Sequence, residues 1–225
     1  MQGERVIITV DGVGASGKSA LARLLAERLG YAHLNSGLLY RATAWLVSVS
    51  GVDPTSNDAV GHLLEQHSIS LQYSRDKGTQ VSVDGVIKEH ELTTQENTQL
   101  ASLVAKIPSV RAHFKPIQRH AFSPMSVVAE GRDMGTVIFP DAAIKFFVTA
   151  DLAVRATRRY QQMVLNGQVG DVQNIAAELA RRDDLDATRE IAPMKPAKGA
   201  ILVDNSAGSL NETVGSMLAY LKPIG

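Results

Sequence analysis

The chain has 225 residues, of which 44% are hydrophobic, and its 23 basic and 23 acidic residues give a formal net charge of zero. This composition supplies a sizeable core and excludes a disordered chain, and the balanced charge argues against nucleic acid or an anionic membrane as a partner. The absence of cysteine excludes disulfides, thiolate metal sites and a cysteine nucleophile. No apolar run approaches the length of a membrane span or signal segment, so we expect a cytoplasmic protein.

Short apolar runs predict the strands of a parallel sheet. Such runs, alternating with helical segments, are typical of a sheet that helices cover on both faces. The runs cover residues 6–10, 126–130, 143–149 and 200–204. Ligands of such sheets bind at the carboxyl ends of the strands.

Apolar residues at helical spacing predict the covering helices. Gly30 follows the first helix as a stop signal, and Ser36 or Asn35 precedes the second as its cap. The predicted helices cover residues 18–29, 37–50, 93–105, 109–121, 151–166, 172–187 and 209–221.

A change of period interrupts this alternation. Around residues 69–87 the apolar residues recur at every second position, and the pair Asp84-Gly85 is typical of a tight hairpin turn. We therefore predict a small antiparallel meander inserted into the α/β unit.

A glycine-rich loop, GVGASGKS at residues 12–19, follows the first predicted strand and matches the pattern GxxxxGK[ST]. Backbone N–H groups of such a loop surround phosphates, the lysine reaches the β- and γ-phosphates, and the hydroxyl binds Mg²⁺. The alternative is a strand-to-helix turn with an ordinary surface lysine, but the strand–loop–helix context favours a nucleotide. The predicted ATP-binding residues are Gly12, Val13, Gly14, Ala15, Ser16, Gly17, Lys18, Ser19 and Ala20, with Ser19 as the Mg²⁺ ligand.

Charged residues follow the predicted strands and could bind a second anion. Arg41 lies early in the second helix, where helix N–H groups and its guanidinium could act together; a solvated arginine is the alternative. Arg132 and Asp133, in EGRDMGT at residues 130–136, lie at the ligand edge of the sheet. For this pair the alternative is a salt bridge within the loop.

Arginines also lie on one face of the helix predicted over residues 151–166. Arg155, Arg158 and Arg159 are at helical spacing, and NGQVG at residues 166–170 suggests a hinge. This arrangement suits a lid that closes over phosphates, and a solvated basic face is the alternative.

A last cluster, RRDDLDATR at residues 181–189, places Arg182, Asp186 and Arg189 at spacings of four and three residues. These residues could complete the site, or they could form a helical ladder of ion pairs. Several arginines beside a phosphate loop favour phosphoryl transfer, because this reaction needs mainly positioning and charge neutralisation.

Together these motifs resemble those of the bacterial cytidylate kinases, which are P-loop nucleoside monophosphate kinases. The resemblance runs along nearly the whole chain, and its most specific stretches begin at Gly131 and Arg182. The segments that carry it are GVGASGKS (12–19), NSGLLYR (35–41), TQENTQLAS (94–102), VR (110–111), EGRDMGTVIFPDA (130–142), RATRRYQQ (155–162) and RRDDLDATREIAP (181–193).

The resemblance implies a three-layer P-loop α/β fold with a central parallel five-stranded sheet, an inserted small antiparallel β subdomain and a helical lid. It implies a core domain of residues 1–34 and 104–225 with the lid near 155–170. A nucleoside monophosphate-binding domain would cover residues 35–103, with the meander near 63–92. The family also suggests a monomer.

The resemblance further implies that the γ-phosphate of ATP, with Mg²⁺, is transferred to CMP or dCMP, with UMP a poorer acceptor. The catalytic residues would be Lys18, Arg132, Asp133, Arg158 and Arg159. The acceptor phosphate would be bound by Ser36, Arg41 and Arg132, the cytosine by Ser102, Arg111, Asp133 and Arg189, and the sugar by Arg182 and Asp186.

Four positions depart from the family pattern. Asn35 and Glu130 each replace a common aspartate, and Val13 and Ala20 replace a common proline and a threonine or similar residue. If the aspartate that the family commonly has at this position assists Mg²⁺ or orients the acceptor, its replacement by Asn35 weakens that effect without abolishing catalysis. Neither Val13 nor Ala20 removes a phosphate ligand, and the carboxylate at 130 could still hold metal-bound water.

Three alternatives stay open from the residues. A kinase for another small acceptor, such as a different monophosphate or shikimate, would keep the same loop and arginines. A nucleotide-dependent switch would need a base-reading Asn/Thr-Lys-x-Asp element, and the sequence contains none. A catalytically dead nucleotide-binding module would not need Lys18, Ser19 and the arginines.

Overall fold

The computed structural model describes residues 5–89, 91–165 and 167–221. Its strands are β1 (Ile7–Gly12), β2 (Ala32–Asn35), β3 (Ile69–Ser74), β4 (Gly78–Val83), β5 (Val86–Lys88), β6 (Val127–Gly131), β7 (Ile144–Thr149) and β8 (Ile201–Asp204). Five of them form a parallel sheet in the order β2-β6-β1-β7-β8. This confirms the predicted central sheet.

Helices cover the sheet and extend beyond it. They are α1 (Lys18–Leu29), α2 (Gly37–Ser50), α3 (Asn57–Gln66), α4 (Gln95–Val104), α5 (Pro108–His120), α6 (Leu152–Leu165), α7 (Val172–Thr188) and α8 (Leu210–Ala219). A π-helical turn, Met134–Ile138, follows β6. None of the helices within the described ranges is both long and apolar enough to cross a membrane.

The predicted meander is confirmed as an antiparallel sheet of β3, β4 and β5. Asp84 and Gly85 connect Val83 to Val86 with φ angles of 52° and 79°. Positive φ at both central residues is the geometry that Asp-Gly favours in a two-residue hairpin.

Strand β2 and helix α3 were not predicted. Strand β2 reads AHLN, so it has no continuous apolar run, yet it pairs with β6 at the edge of the parallel sheet. Helix α3 begins after Ser56, whose side chain accepts a hydrogen bond from the N–H of Ala59. Asn166, which the prediction placed at the end of α6 and the start of a loop, lies outside the described residues.

The buried apolar residues form separate clusters. One lies between the sheet and helices α1 and α8, around Leu25 and Phe146. Another lies among α2 to α5 and the meander, where Phe114 is fully buried and packs edge-on against Tyr40 at 5.8 Å between ring centroids. The second cluster includes Val110 and Phe114 of α5, so it extends past the predicted boundary at residue 104, and the division of the chain into domains stays a proposal.

The parallel register brings the carboxyl ends of β1, β2 and β6 to one edge of the sheet. Asp11 pairs with Gly131, and Asn35 pairs with Glu130. The glycine loop, the segment after β6 and the start of α2 therefore lie side by side at the edge where ligands of such sheets bind.

Gly12 has a φ of 152°, and a Cβ built on it would lie 2.0 Å from the carbonyl oxygen of Val148 on β7. We expect Gly12→Ala to lower the free energy of unfolding by at least about 3 kcal/mol, because it adds a backbone clash to a strained φ. Gly30→Ala is the matched control, since Gly30 has a φ of 69° with nothing within 4 Å of its Cβ. This control should cost only about 1 kcal/mol.

Urea unfolding of both variants, followed by circular dichroism, measures the difference. Equal losses in the two variants would mean that β1 and β7 are not packed as closely as described.

Candidate active site

The glycine loop joins β1 to α1 with an irregular backbone. Ala15 and Gly17 have φ angles of 56° and 86°. Gly17 is also the residue that precedes α1, so no side-chain cap occupies the N-terminus of this helix. Unpaired N–H groups at such an end, together with the helix dipole, favour an anion.

Lys18 is 9% exposed, and its Nζ donates a hydrogen bond to the carbonyl oxygen of Val13, 3.1 Å away, within the same loop. Burial, reinforced by the charge of Arg132, lowers the pKa of Lys18 to about 7, although Glu130 and Asp186 act in the opposite direction. An anion that binds beside this buried ammonium stabilises its charged form more than it would stabilise that of an exposed lysine.

A carboxylate and a hydroxyl lie together beside the loop. Burial alone would raise the pKa of Glu130, but His33, Lys18 and the hydroxyl of Ser19 hold it below its ordinary value. Nε2 of His33 lies 3.3 Å from Oε1 of Glu130, and this buried oxygen has no hydrogen-bond partner among the described residues.

Ser19 and Glu130 fit a magnesium ion, because Mg²⁺ prefers hydroxyl, carboxylate, phosphate and water oxygens. The part of the chain that the structure describes contains no group of three His, Asp or Glu residues that could hold a metal. So few protein ligands are typical of Mg²⁺, which proteins bind largely through substrate phosphates and water.

Arginines surround the loop on the side of α7. Nε of Arg132 donates to Oδ2 of Asp186 at 2.9 Å. Burial, followed by the charge of Arg132, lowers the pKa of Arg182 to about 10, and within the described ranges its buried Nε has no hydrogen-bond partner. Burial also lowers the pKa of Arg41, which the nearby charges of Arg159 and Arg132 lower further.

These guanidiniums outnumber the carboxylates among them, so the site carries local positive charge although the whole chain is neutral. Five of the predicted side chains influence one another electrostatically: Lys18, Arg41, Arg132, Arg182 and Asp186. Such a cluster suits a ligand with several negative charges.

A second group of predicted residues is centred on Asp133, which is 3% exposed. Asp133 accepts a hydrogen bond from Nη2 of Arg111 through Oδ2, and Nη2 of Arg189 lies 3.5 Å from its Oδ1. Nη1 of Arg111 donates to the carbonyl oxygen of Ala105 at 3.2 Å, and its guanidinium lies 5.9 Å from the centroid of the Tyr40 ring. The carboxylate is therefore held between two cations.

Three other predicted residues form hydrogen bonds with neighbouring protein groups. Oγ of Ser36 is buried and donates to the carbonyl oxygen of Glu130 at 2.6 Å. Oγ of Ser102 donates within α4 to the carbonyl oxygen of Thr98 at 3.4 Å, and Arg159 donates to Gln162 within α6.

The two capping candidates for α2 share the role, since Ser36 is the N-cap residue but the side chain that bonds a helical N–H is that of Asn35. Oδ1 of Asn35 accepts a hydrogen bond from the N–H of Gly37 at 3.1 Å, whereas Ser36 makes no side-chain cap.

The arginines of α6 do not form one solvated face, so that interpretation is wrong. Arg155 is buried and donates to the loop carbonyl of Gly14 and to Asp183. Arg158 is half-buried, and a Cβ built on Gly17 would lie 3.9 Å from its Nη1. This nitrogen has no hydrogen-bond partner in the described segments. Arg158 therefore lies beside the loop with an N–H group that could bind a ligand.

The prediction that Arg182, Asp186 and Arg189 lie on one helical face is wrong for Arg189. Helix α7 stops at Thr188, and Arg189 adopts an extended conformation with φ −61° and ψ 140°. Its Nη1 still lies 4.0 Å from Oδ1 of Asp186. The group is thus assembled partly by the chain that leaves the helix.

Sequence reasoning missed three residues that hold the site in place. Asp11 accepts hydrogen bonds from the N–H groups of Met134 and Gly135, each at 2.8 Å. Burial raises its pKa to about 6 despite these two bonds. Asn205 donates to the carbonyl oxygen of Ser16 at 2.8 Å, and Asp183 accepts from the N–H of Gly14 at 2.8 Å.

Only Asp11 had a sequence signal. It is a charged residue at the end of a buried strand, directly before the glycine loop. Asp183 and Asn205 are far from the loop in sequence, so no local pattern predicts their contacts.

Comparison with known proteins adds independent information. A family model described as "Cytidylate kinase" matches residues 8–223. The chain is 36% identical to the cytidylate kinase of Oleidesulfovibrio alaskensis, covering 97% of this chain and 99% of that one. It is 40% identical to the cytidylate kinase of Maridesulfovibrio salexigens over 91% of each chain.

A solved structure is similar in fold. The crystal structure of an uncharacterized protein from Eubacterium ventriosum matches 97% of this chain and 99% of its own with a TM-score of 0.51 and 11% identity. At that identity the match concerns the fold alone.

The burial of Lys18 predicts a pKa of about 7 for the protein without nucleotide, against roughly 10.4 for an unfolded lysine. Between these pH values the unfolded state binds more protons, so stability should rise with pH over that window. Carbon-13 NMR of the lysine Cε groups measures the pKa directly, with Lys18→Met to assign the signal. Adding ADP should raise this pKa, because phosphates favour the ammonium form.

Lys18→Met should also flatten the rise of the unfolding free energy between pH 7 and 10. A Lys18 signal that titrates near 10 without nucleotide would contradict the described environment.

Proposed function

Since the chain belongs to the cytidylate kinase family and is a phosphotransferase, we propose that it transfers the γ-phosphate of ATP to CMP or dCMP. The products are CDP or dCDP and ADP. The observation that supports this most directly is electrostatic: Lys18 of the glycine loop interacts with Arg132 and Arg182, which are predicted acceptor residues. A donor and an acceptor phosphate bound to these residues would be neighbours.

The donor binds along residues 12–20, with its phosphates on the loop N–H groups and on Lys18. Arg158 and Arg159 approach from α6 and neutralise charge on the group in transfer. Ser19, with Glu130 nearby, would hold Mg²⁺ together with phosphate and water oxygens, and the ion would supply further charge neutralisation when bound.

The acceptor phosphate binds to Arg41, Arg132 and Ser36. One of its oxygens attacks the γ-phosphorus in line, a P–O bond forms, and the bond to the bridging oxygen of ADP breaks. No general base is needed, because the acceptor phosphate is already largely ionised near neutral pH. Closure of the lid and the inserted subdomain expels water and limits hydrolysis of ATP.

Cytosine recognition rests on Asp133 and its two arginines. A carboxylate accepts a hydrogen bond from the exocyclic amine, and guanidiniums donate to O2 or N3. Uracil presents a carbonyl oxygen where cytosine presents the amine, so Asp133 would lose its partner. Ser102 completes the base site, and Arg182 and Asp186 contact the sugar, where the 2′-hydroxyl helps without being essential.

The proposal also includes a monomeric enzyme that works in the cytoplasm, without nucleic-acid or membrane partners. The family is the basis for the monomer, and the balanced charge and short apolar runs of the sequence are the basis for the rest.

The proposed function predicts the outcome of an acceptor panel. With ATP and Mg²⁺ in a coupled ADP-release assay, CMP and dCMP should be phosphorylated at least about tenfold more efficiently than UMP, AMP or GMP, because a base that leaves a buried partner unpaired is disfavoured. Faster turnover of UMP or AMP would favour another monophosphate kinase. Binding of GTP without turnover of any acceptor would favour a switch.

Substitution of Asp133 tests the assignment of base recognition. Asp133→Asn offers an amide N–H₂ as well as an oxygen, so it can pair with uracil as well as cytosine. The ratio of kcat/KM for CMP over UMP should fall by about tenfold or more, because UMP gains a hydrogen bond and its KM falls, while CMP loses a charge-assisted hydrogen bond and its KM rises.

Asp76→Asn, an equal change of charge at an exposed turn of the meander, is the control and should leave the ratio unchanged. If Asp133→Asn also keeps the wild-type ratio while remaining folded, another residue selects the base.

A further inference from the structure

The peptide groups on both sides of Gly14 are held by an ion pair that the proposed reaction does not use. The N–H of Gly14 donates to Oδ1 of Asp183 at 2.8 Å, and Nη1 of Arg155 donates to the carbonyl oxygen of Gly14 at 3.1 Å. The same Nη1 also donates to Oδ2 of Asp183. Gly14, Arg155 and Asp183 therefore close a ring of hydrogen bonds.

The pair is anchored outside the loop as well. Nε of Arg155 donates to the carbonyl oxygen of Ala150, at the end of β7, at 2.9 Å. Asp183 lies in the middle of α7, between Arg182 and the turn that carries Asp186. The ring thus joins the loop to the sheet, to α6 and to α7.

Burial strengthens these contacts. The side chains of Arg155 and Asp183 are 9% and 13% exposed, and hydrogen bonds between charged groups are stronger where water is largely excluded. Because the two charges cancel, the pair adds little to the positive field that attracts phosphates. This distinguishes Arg155 from Arg132 and Arg182.

The loop also fits closely against Asp183. A Cβ built on Gly14 would lie 3.3 Å from Oδ1 of Asp183 and 3.5 Å from Cδ2 of Leu179. A side chain at residue 14 would therefore push the loop away from α7 or require the carboxylate to move. The glycine at this position is explained by contact with α7 as well as by access of a nucleotide.

We propose that Arg155 and Asp183 are positioning residues that fix the Gly14 peptide and thereby set the phosphate-binding loop before the donor arrives. This inference rests on the proposed function in so far as the loop binds ATP. Affinity for a phosphate chain depends on N–H groups already held in place, because ordering a loose loop on binding lowers affinity. The acceptor residues on α7 do not need the ring in order to bind CMP.

The test compares three variants of the full-length protein. Asp183→Asn keeps an oxygen for the N–H of Gly14 but loses the charge facing Arg155. Asp183→Ala removes both interactions. Asp184→Asn is the matched control, since Asp184 is the exposed neighbour on the same helix and its side chain changes charge in the same way.

Calorimetry measures the Kd for ADP and, in separate titrations, the Kd for CMP. We expect Asp183→Asn to weaken ADP binding by about threefold to tenfold and Asp183→Ala by more than about tenfold, in line with the loss of charge-assisted hydrogen bonds. The Kd for CMP should stay within about twofold, and Asp184→Asn should match the wild type for both ligands.

Hydrogen exchange measured by mass spectrometry gives a readout that requires no ligand. The peptide spanning the glycine loop should exchange several-fold faster in Asp183→Asn than in the wild type and in Asp184→Asn. Peptides from α3 and the meander, which are far from the ring, should be unchanged. A variant that merely unfolds would exchange faster in all of these peptides.

Three outcomes overturn the inference: equal losses of ADP and CMP affinity, unchanged ADP affinity and loop exchange, or tighter ADP binding. Tighter binding would mean that Asp183 competes with phosphates for the N–H of Gly14. Failure of the proposed function is distinguishable, because an enzyme that does not phosphorylate CMP can still show a loop that loosens and ADP binding that weakens in Asp183→Asn.

Discussion

The parallel register of β2, β6 and β1 is the constraint on which the rest of the site depends. It places Asn35, Glu130 and Asp11 at one edge of the sheet, although they come from three distant parts of the chain. From that edge the glycine loop, the start of α2 and the π-helical turn project into the same space. Asp11 fixes the turn through two backbone N–H groups, so Arg132 and Asp133 are positioned by the end of β1 rather than by their own loop.

The arginines of this site fall into two groups, those paired with carboxylates and those with unbonded nitrogens. Carboxylates hydrogen-bonded to Arg111 and Arg155 hold these two side chains in place, whereas Arg158 and Arg182 have buried nitrogens without a hydrogen-bond partner among the described residues. Burying an unpaired cation costs free energy. A polyanionic ligand would remove that cost, which explains how a chain with no net charge can favour phosphorylated molecules.

The parts of this picture that the sequence predicted are those encoded locally. The glycine loop, the Asp84-Gly85 hairpin and four of the five parallel strands have characteristic residues within a short window. Strand β2 was missed because its pairing with β6, not its own composition, makes AHLN a strand. The contacts of Arg155 were not predicted, because its partners, Gly14 and Asp183, lie 141 and 28 residues away, and its spacing alone suggested a lid arginine or a solvated face. Arg189 was assigned to a helical face from its spacing to Arg182 and Asp186 alone, but α7 ends at Thr188 and Arg189 is extended.

Arg111 and Arg189 share the carboxylate of Asp133, and this sharing limits how the base specificity of the pocket can change in evolution. Replacing Asp133 alone leaves both Arg111 and Arg189 without their carboxylate, and replacing either arginine alone leaves one oxygen of the buried carboxylate without its cation. A single substitution of Asp133 can weaken the preference for cytosine, but a site fitted to a different base needs coupled substitutions on α5, after β6 and beyond α7, whose effects are not additive. Laboratory evolution toward purine acceptors should accordingly start from libraries that randomise these three positions together.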